Sequence, residues 1–114
     1  FPVVDADVLR EGMKRAAKLG LVISVHAEDG AVLAKAPVTN GKLTAGAWAS
    51  SRPVDAELAA IRLSLEIAGE TGCVLHIASV SSPEGLDLID EARQMRVDVT
   101  AEVAAFFFAT QHCF

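Results

Sequence analysis

Apolar residues along the chain follow two alternating periods. From Asp5 to Leu19, Val8, Leu9, Met13, Ala16 and Ala17 recur at helical spacing, while Arg10, Glu11, Lys14, Arg15 and Lys18 fill the opposite side. Asp5 supplies an N-cap carboxylate, Arg15 and Lys18 place cations in the last turn, and Gly20 stands where a left-handed residue ends a helix. Leu21 to Val25 is apolar at nearly every position and too short for a helix. Such a run predicts a parallel strand covered on both faces. A second helix is expected over Asp55–Glu70, with Leu58, Ile61, Leu65 and Ala68 on its stripe, and Gly72 ends it. Cys73 to Ala78 gives a second apolar strand. Ser82-Pro83-Glu84 opens a third helix with a capping hydroxyl, a proline at the first position and an acid in the first turn. Leu86, Ile89, Ala92 and Met95 form the buried stripe expected of that helix, and Val97 to Val103 makes a third strand.

Between Glu28 and Pro53 neither period holds. Asp29-Gly30, Asn40-Gly41, Gly46, two prolines and a serine pair are turn-forming, so a long loop is expected there. Loops of this length inside a compact domain are uncommon and are usually functional or lids. The order helix, strand, loop, helix, strand, helix, strand predicts an α/β fold with a parallel sheet and right-handed crossovers. No internal repeat tighter than the βα unit, low-complexity segment or linker interrupts it, so residues 1–114 read as a single partial α/β domain. Three strands cannot close a barrel, and as an open sheet they leave two edges unpaired. The pattern is that of part of something larger.

Composition narrows the picture. The chain has 114 residues and 12.0 kDa, room for one domain, and its 52% hydrophobic content is too high for disorder. A mean hydropathy of +0.38 is also high for a free-standing domain of this size. The longest apolar run, Val103–Ala109, falls far short of the roughly 20 residues of a membrane-spanning helix. A net charge of −5 with scattered basic residues argues against a nucleic-acid surface. Cys73 and Cys113 make neither a disulfide framework nor a paired-cysteine zinc site. With no secretion signal or basic transit peptide at the N-terminus, a cytoplasmic location is expected.

In parallel α/β folds, ligands gather at the carboxyl ends of the strands. That rule selects His26, Glu28 and Asp29 after the first strand, Ser79, Ser81 and Ser82 after the second, and Glu102 near the end of the third. A histidine followed by two acids suits metal binding or proton transfer, although a partly buried histidine beside solvated loop acids is the more common origin of such a cluster. His76, between Leu75 and Ile77, reads as a core histidine bonded to a backbone carbonyl. His112 sits beside Cys113 in a tail without a period and carries no assignment. No glycine-rich phosphate loop is present, and Ser81 and Ser82 lack the G-x-S-x-G context of a hydrolase nucleophile. Ser82 reads as a helix cap and Cys73 as inert packing. Phe106-Phe107-Phe108 is either core-facing strand or an exposed adhesive patch.

Several of these segments occur together in one family. Val25-His26-Ala27-Glu28-Asp29, Ala49-Ser50-Ser51-Arg52-Pro53 with Glu57 and Ile61-Arg62, Gly72-Cys73-Val74-Leu75-His76-Ile77, Val80-Ser81-Ser82-Pro83-Glu84-Gly85 and Asp98-Val99-Thr100-Ala101-Glu102 resemble, in this order, the middle of a cyclic amidohydrolase. The likeness runs from about Leu9 to Val103 and is strongest to the allantoinase-like branch, with dihydroorotase and dihydropyrimidinase as close relatives. It implies a (β/α)8 TIM barrel of which this chain would carry strands five to seven, an incomplete barrel. It also implies a binuclear zinc centre whose bridging hydroxide attacks a small cyclic amide or ureide. On this resemblance His26 occupies the metal-ligand position of the fifth strand.

The departures from the family pattern set further expectations. The sixth-strand histidine ligand would stand at Ser79, and a serine hydroxyl is a poor neutral donor for zinc. His76 lies an odd number of residues earlier and is expected on the opposite face. After Glu102 the family's polar Pro-His segment is replaced by Val103-Ala104-Ala105-Phe106-Phe107. The chain is therefore expected to bind no zinc stably and to hydrolyse nothing by itself, and no residue is assigned a catalytic role. Two other readings accompany this one: a non-catalytic partial-barrel binding or structural module, and a split-enzyme piece that needs a partner chain. Exposed edges predict a homo-oligomer, with Phe106–Phe108 as a contact, or association with the missing barrel half.

Overall fold

The computed structural model describes residues 3–36, 41 and 44–103. The terminal Phe106–Phe108 run, His112 and Cys113 therefore lie outside the described residues. Helix α1 (Ala6–Leu19) leads into strand β1 (Val22–His26), and two short helices, α2 (Gly30–Leu33) and α3 (Ala45–Ser50), precede the long α4 (Val54–Thr71). Strand β2 (Val74–Ala78), helix α5 (Pro83–Gln94) and strand β3 (Val99–Ala101) complete the order.

The helix ends follow from local chemistry. The Asp5 side chain accepts a hydrogen bond from the Val8 N–H, and Gly20 ends α1 at φ 66°. Gly72 ends α4 in the same left-handed conformation, at φ 68°, where a Cβ would be strained. Ser82 caps α5 by accepting from the Gly85 N–H, and Pro83 takes the first helical position, where no N–H is needed.

The strands form one parallel sheet in the order β1-β2-β3. Register places Ser24 beside His76 and His76 beside Thr100, and likewise Val25 beside Ile77 and Ile77 beside Ala101. Because alternate residues face opposite ways, Ile23, Val25, Leu75, Ile77, Val99 and Ala101 share one face. That face packs with Met13, Ala16, Ile61, Leu65, Ile67, Ala68, Ile89 and Ala92 of α1, α4 and α5 into the core. Leu75, Ile77, Met13, Ile61 and Ile67 are each 0% exposed.

Val22, Ser24, His26, Val74, His76, Ala78 and Thr100 take the other face, and none of them is buried. The expectation of strands covered on both sides is thus corrected. Among the described residues the helices cover a single face, and the other is open.

Other expectations shift in detail. The loop expected over Glu28–Pro53 contains α2 and α3, helices of 4 and 6 residues, too short to show a period. The third strand is 3 residues long rather than the span Val97–Val103. Met95 leaves the buried stripe and is 73% exposed, because α5 ends at Gln94 and Arg96 turns the chain at φ 67°. No helix among the described residues is long and apolar enough to cross a membrane.

Candidate functional site at the carboxyl ends of the strands

The carboxyl ends of β1 and β2 are braced against the first turn of α4. At the β1 end, His26 is the last strand residue and its side chain is 66% exposed. Its Nε2 lies 3.6 Å from Glu28 Oε2. The Glu28 carboxylate is taken by an ion pair with Arg52, whose guanidinium lies 5.3 Å from the centroid of the Trp48 ring, within cation–π range. Asp29 is not beside His26 as a second acid. Its side chain caps α2 by accepting from the Ala31 and Val32 N–H groups, and its own N–H donates to the Ala56 carbonyl.

At the β2 end the loop is held from two sides. The Val80 N–H donates to the Glu102 carbonyl at 2.9 Å. On the other side the Glu57 carboxylate accepts the Ser81 and Ser82 N–H groups at 3.0 and 3.1 Å, and both hydroxyls at 2.5 Å. Ser79, between strand and clamp, has φ 58°. It lies beyond β2, so strand alternation does not assign it to either face of the sheet. His76 shares the open face with His26.

His76 is also corrected as a core residue. Its side chain is 28% exposed, Nδ1 lies 2.9 Å from Thr100 Oγ1, and Nε2 lies 3.8 Å from a Glu102 carboxylate oxygen. A hydroxyl on the neighbouring strand, not a backbone carbonyl, partners it.

The sequence-selected residues thus separate into three roles. His26 and Glu28 come together, with Arg52 and Trp48 added behind them. Ser81 and Ser82 are structural, bound to Glu57, while His76, Thr100 and Glu102 form a second polar group on the open face. Glu57 was not singled out as a site residue, because its partners lie 24 and 25 residues away. The available signal was an acid one turn into a helix facing a serine pair at the start of the next helix.

Among the described residues no three His, Cys, Asp or Glu side chains gather to hold a metal ion. His26 is accompanied by a single carboxylate already paired with Arg52, and Ser79 offers a neutral hydroxyl. This donor set does not fit two zinc ions.

The same fold recurs in solved hydantoinases. The chain aligns with L-hydantoinase (dihydropyrimidinase) from Arthrobacter aurescens at TM-score 0.82 and 32% identity, over 91% of this chain and 24% of that one. A D-hydantoinase structure aligns at TM-score 0.85 and 26% identity, over 94% and 24% of the two chains. The chain therefore matches the cyclic amidohydrolase family over a partial segment. More narrowly, it is 40% identical over 110 residues to the allantoinases of Bacillus licheniformis and of Solibacter usitatus. Enterococcus faecalis allantoinase is 38% identical over the same length. These alignments cover 94% of this chain and 24% of each allantoinase, so the chain spans about a quarter of the length of the relatives it matches. No family model matches the chain.

Proposed function

We propose that this chain is a partial-barrel segment of an allantoinase-like cyclic amidohydrolase, with β1, β2 and β3 as barrel strands five, six and seven. In this reading the open face of the sheet is the barrel interior, and the parent activity is hydrolysis of the C–N bond of a small cyclic amide or ureide. His26 stands at a metal-ligand position of a zinc centre, and Ser79 replaces a histidine ligand. The observation that carries the proposal is the 40% identity to allantoinases over 110 residues, joined to the placement of His26 at a strand's carboxyl end on the open face. The described residues hold no donor set for two metals, and in this reading the segment by itself is catalytically incomplete.

The test is an assay of the purified chain for ring opening of allantoin, hydantoin and dihydrouracil, with and without added zinc. No turnover is the expected result. Metal-dependent turnover abolished by His26→Ala would overturn it.

Among the described residues the outer edges of β1 and β3 are unpaired, which favours a second reading, in which the segment works as a module completed by copies of itself or by a partner chain. Light scattering after size-exclusion chromatography distinguishes these forms. A single small, integral oligomer supports self-completion, whereas activity that appears only on mixing with a second chain supports complementation.

A further inference from the structure

The first turn of α4 touches both carboxyl-end loops through adjacent residues. The Ala56 carbonyl accepts the Asp29 N–H at 2.9 Å, and the Glu57 side chain receives Ser81 and Ser82. The Glu57 interaction is chemically specific. A carboxylate offers two oxygens and no proton: Oε2 takes the N–H and hydroxyl of Ser81, Oε1 those of Ser82, and the Ser81 N–H is shared with Oε1 at 3.3 Å. The Ser82 hydroxyl that donates to Glu57 also accepts the Gly85 N–H at 3.2 Å, so the carboxylate, the cap and the first turn of α5 form one chain of hydrogen bonds.

The approach is close enough to constrain α5. A Cβ on Gly85 would meet Ser82 Oγ at 3.0 Å, and both Glu57 Oε1 and Ile61 Cδ1 at 3.1 Å. The negative charge lies where the α5 dipole is positive. No loop acid supplies it. It is delivered across the structure by the preceding helix.

We propose that Glu57 is a positioning residue, a half-buried anion from α4 that fixes the 79–82 turn and so sets Ser79 relative to the His26 loop, which the same helical turn supports. Its role depends on the carboxylate and not on side-chain volume. Glu57→Gln keeps the size but replaces one acceptor oxygen by a donor NH2 group that would face an N–H and a hydroxyl. Glu57→Ala removes the anion and with it the acceptor that these four donors share. The inference concerns the turn alone and does not depend on the chain's hydrolytic role.

Amide hydrogen exchange resolved by residue tests it. In Glu57→Gln the Ser81, Ser82 and Gly85 amides should exchange roughly ten- to a hundredfold faster than in the parent chain, with β1 and the interior of α4 little changed. Adding acetate to Glu57→Ala, against chloride at equal ionic strength, should restore part of the protection at these amides and do nothing to the parent chain. Should Glu57→Ala fail to fold, Ser81→Ala provides the second reading. It keeps the anion and all amide donors, and should speed exchange at Ser81 and Ser82 by a smaller factor. Unchanged turn amides in Glu57→Gln, loss of protection spread evenly over all strands, or an acetate effect no greater than that of chloride would overturn the proposal. Because the readout is exchange and not turnover, its failure is distinct from failure of the functional reading.

Discussion

The two faces of the sheet share one backbone ladder and differ in almost everything else. On the covered face Leu75 and Ile77 are wholly buried against Met13, Ile61 and Ile89. On the open face the residues next to them in sequence, Val74, His76 and Ala78, are half-exposed. Single-residue alternation along β2 thus divides stability from chemistry. The apolar side holds the helices on, and the polar side presents His26, His76, Thr100 and the Glu102 carboxylate away from the core. Substitutions one position apart should therefore have unlike consequences.

The largest difference is expected at Ile77. Truncation to alanine removes a side chain with no exposed surface and leaves a cavity that the flanking helices cannot fill, at a cost of about 2–5 kcal/mol. Ala78→Ser, one residue on, changes a half-exposed position and should stay within about 0.5 kcal/mol of the parent. Urea unfolding of both variants checks the contrast. Equal losses would mean that the open face is covered in solution.

A smaller effect is expected from the polar pair on the open face. His76 Nδ1 and Thr100 Oγ1 are 2.9 Å apart across adjacent strands. A double-mutant cycle of His76→Ala and Thr100→Val should return a coupling of about 0.5–1 kcal/mol, the range of a half-exposed hydrogen bond and of cross-strand pairs. A coupling above that range would show the pair to be desolvated, and would bring the two faces closer in character than their exposure suggests.

What the sequence disclosed divides along the same line. The ends of α1, α4 and α5 were legible because Asp5, Gly20, Gly72, Ser82 and Pro83 act through bonds and dihedrals within a few residues of themselves. The parallel order followed from alternating βα units. The open face was missed because Val22, Val74 and Ala78 made the strands look apolar throughout. The two-residue period of Ser24–His26 in β1, matched by His76 and Thr100 on its neighbours, was the signal that one face is polar. Helix α2 was read as a turn since Asp29-Gly30 suits either. Asp29 instead caps a helix of 4 residues, too short to display a stripe. At the candidate site, His26 with Glu28 was legible from adjacency. The Arg52–Glu28 pair and the Glu57 clamp were not, because each joins residues separated by 24 positions or more, and only the fold brings them together.

The smallest effect, and one confined to alkaline pH, belongs to the ionisation of Cys73 on the covered side. It immediately precedes β2, is 1% exposed, and belongs to the core cluster. Burial pushes its thiol pKa up, because the thiolate would lose its hydration, and the backbone of Ile23 opposes this only in part. The sign of the linkage follows. Below the ordinary thiol value of about 8.5 the group is protonated in both folded and unfolded chains, and its contribution to stability is fully present. As pH rises past that value the unfolded chain releases its proton first, so stability falls, and the loss is complete only once pH has passed the raised folded value. Stability measured from pH 7 to 10 should therefore decline on the alkaline side, and Cys73→Ala should decline less steeply while starting lower from the lost packing. A parallel decline in both chains would assign the alkaline limb to other groups and leave the thiol uncoupled from folding.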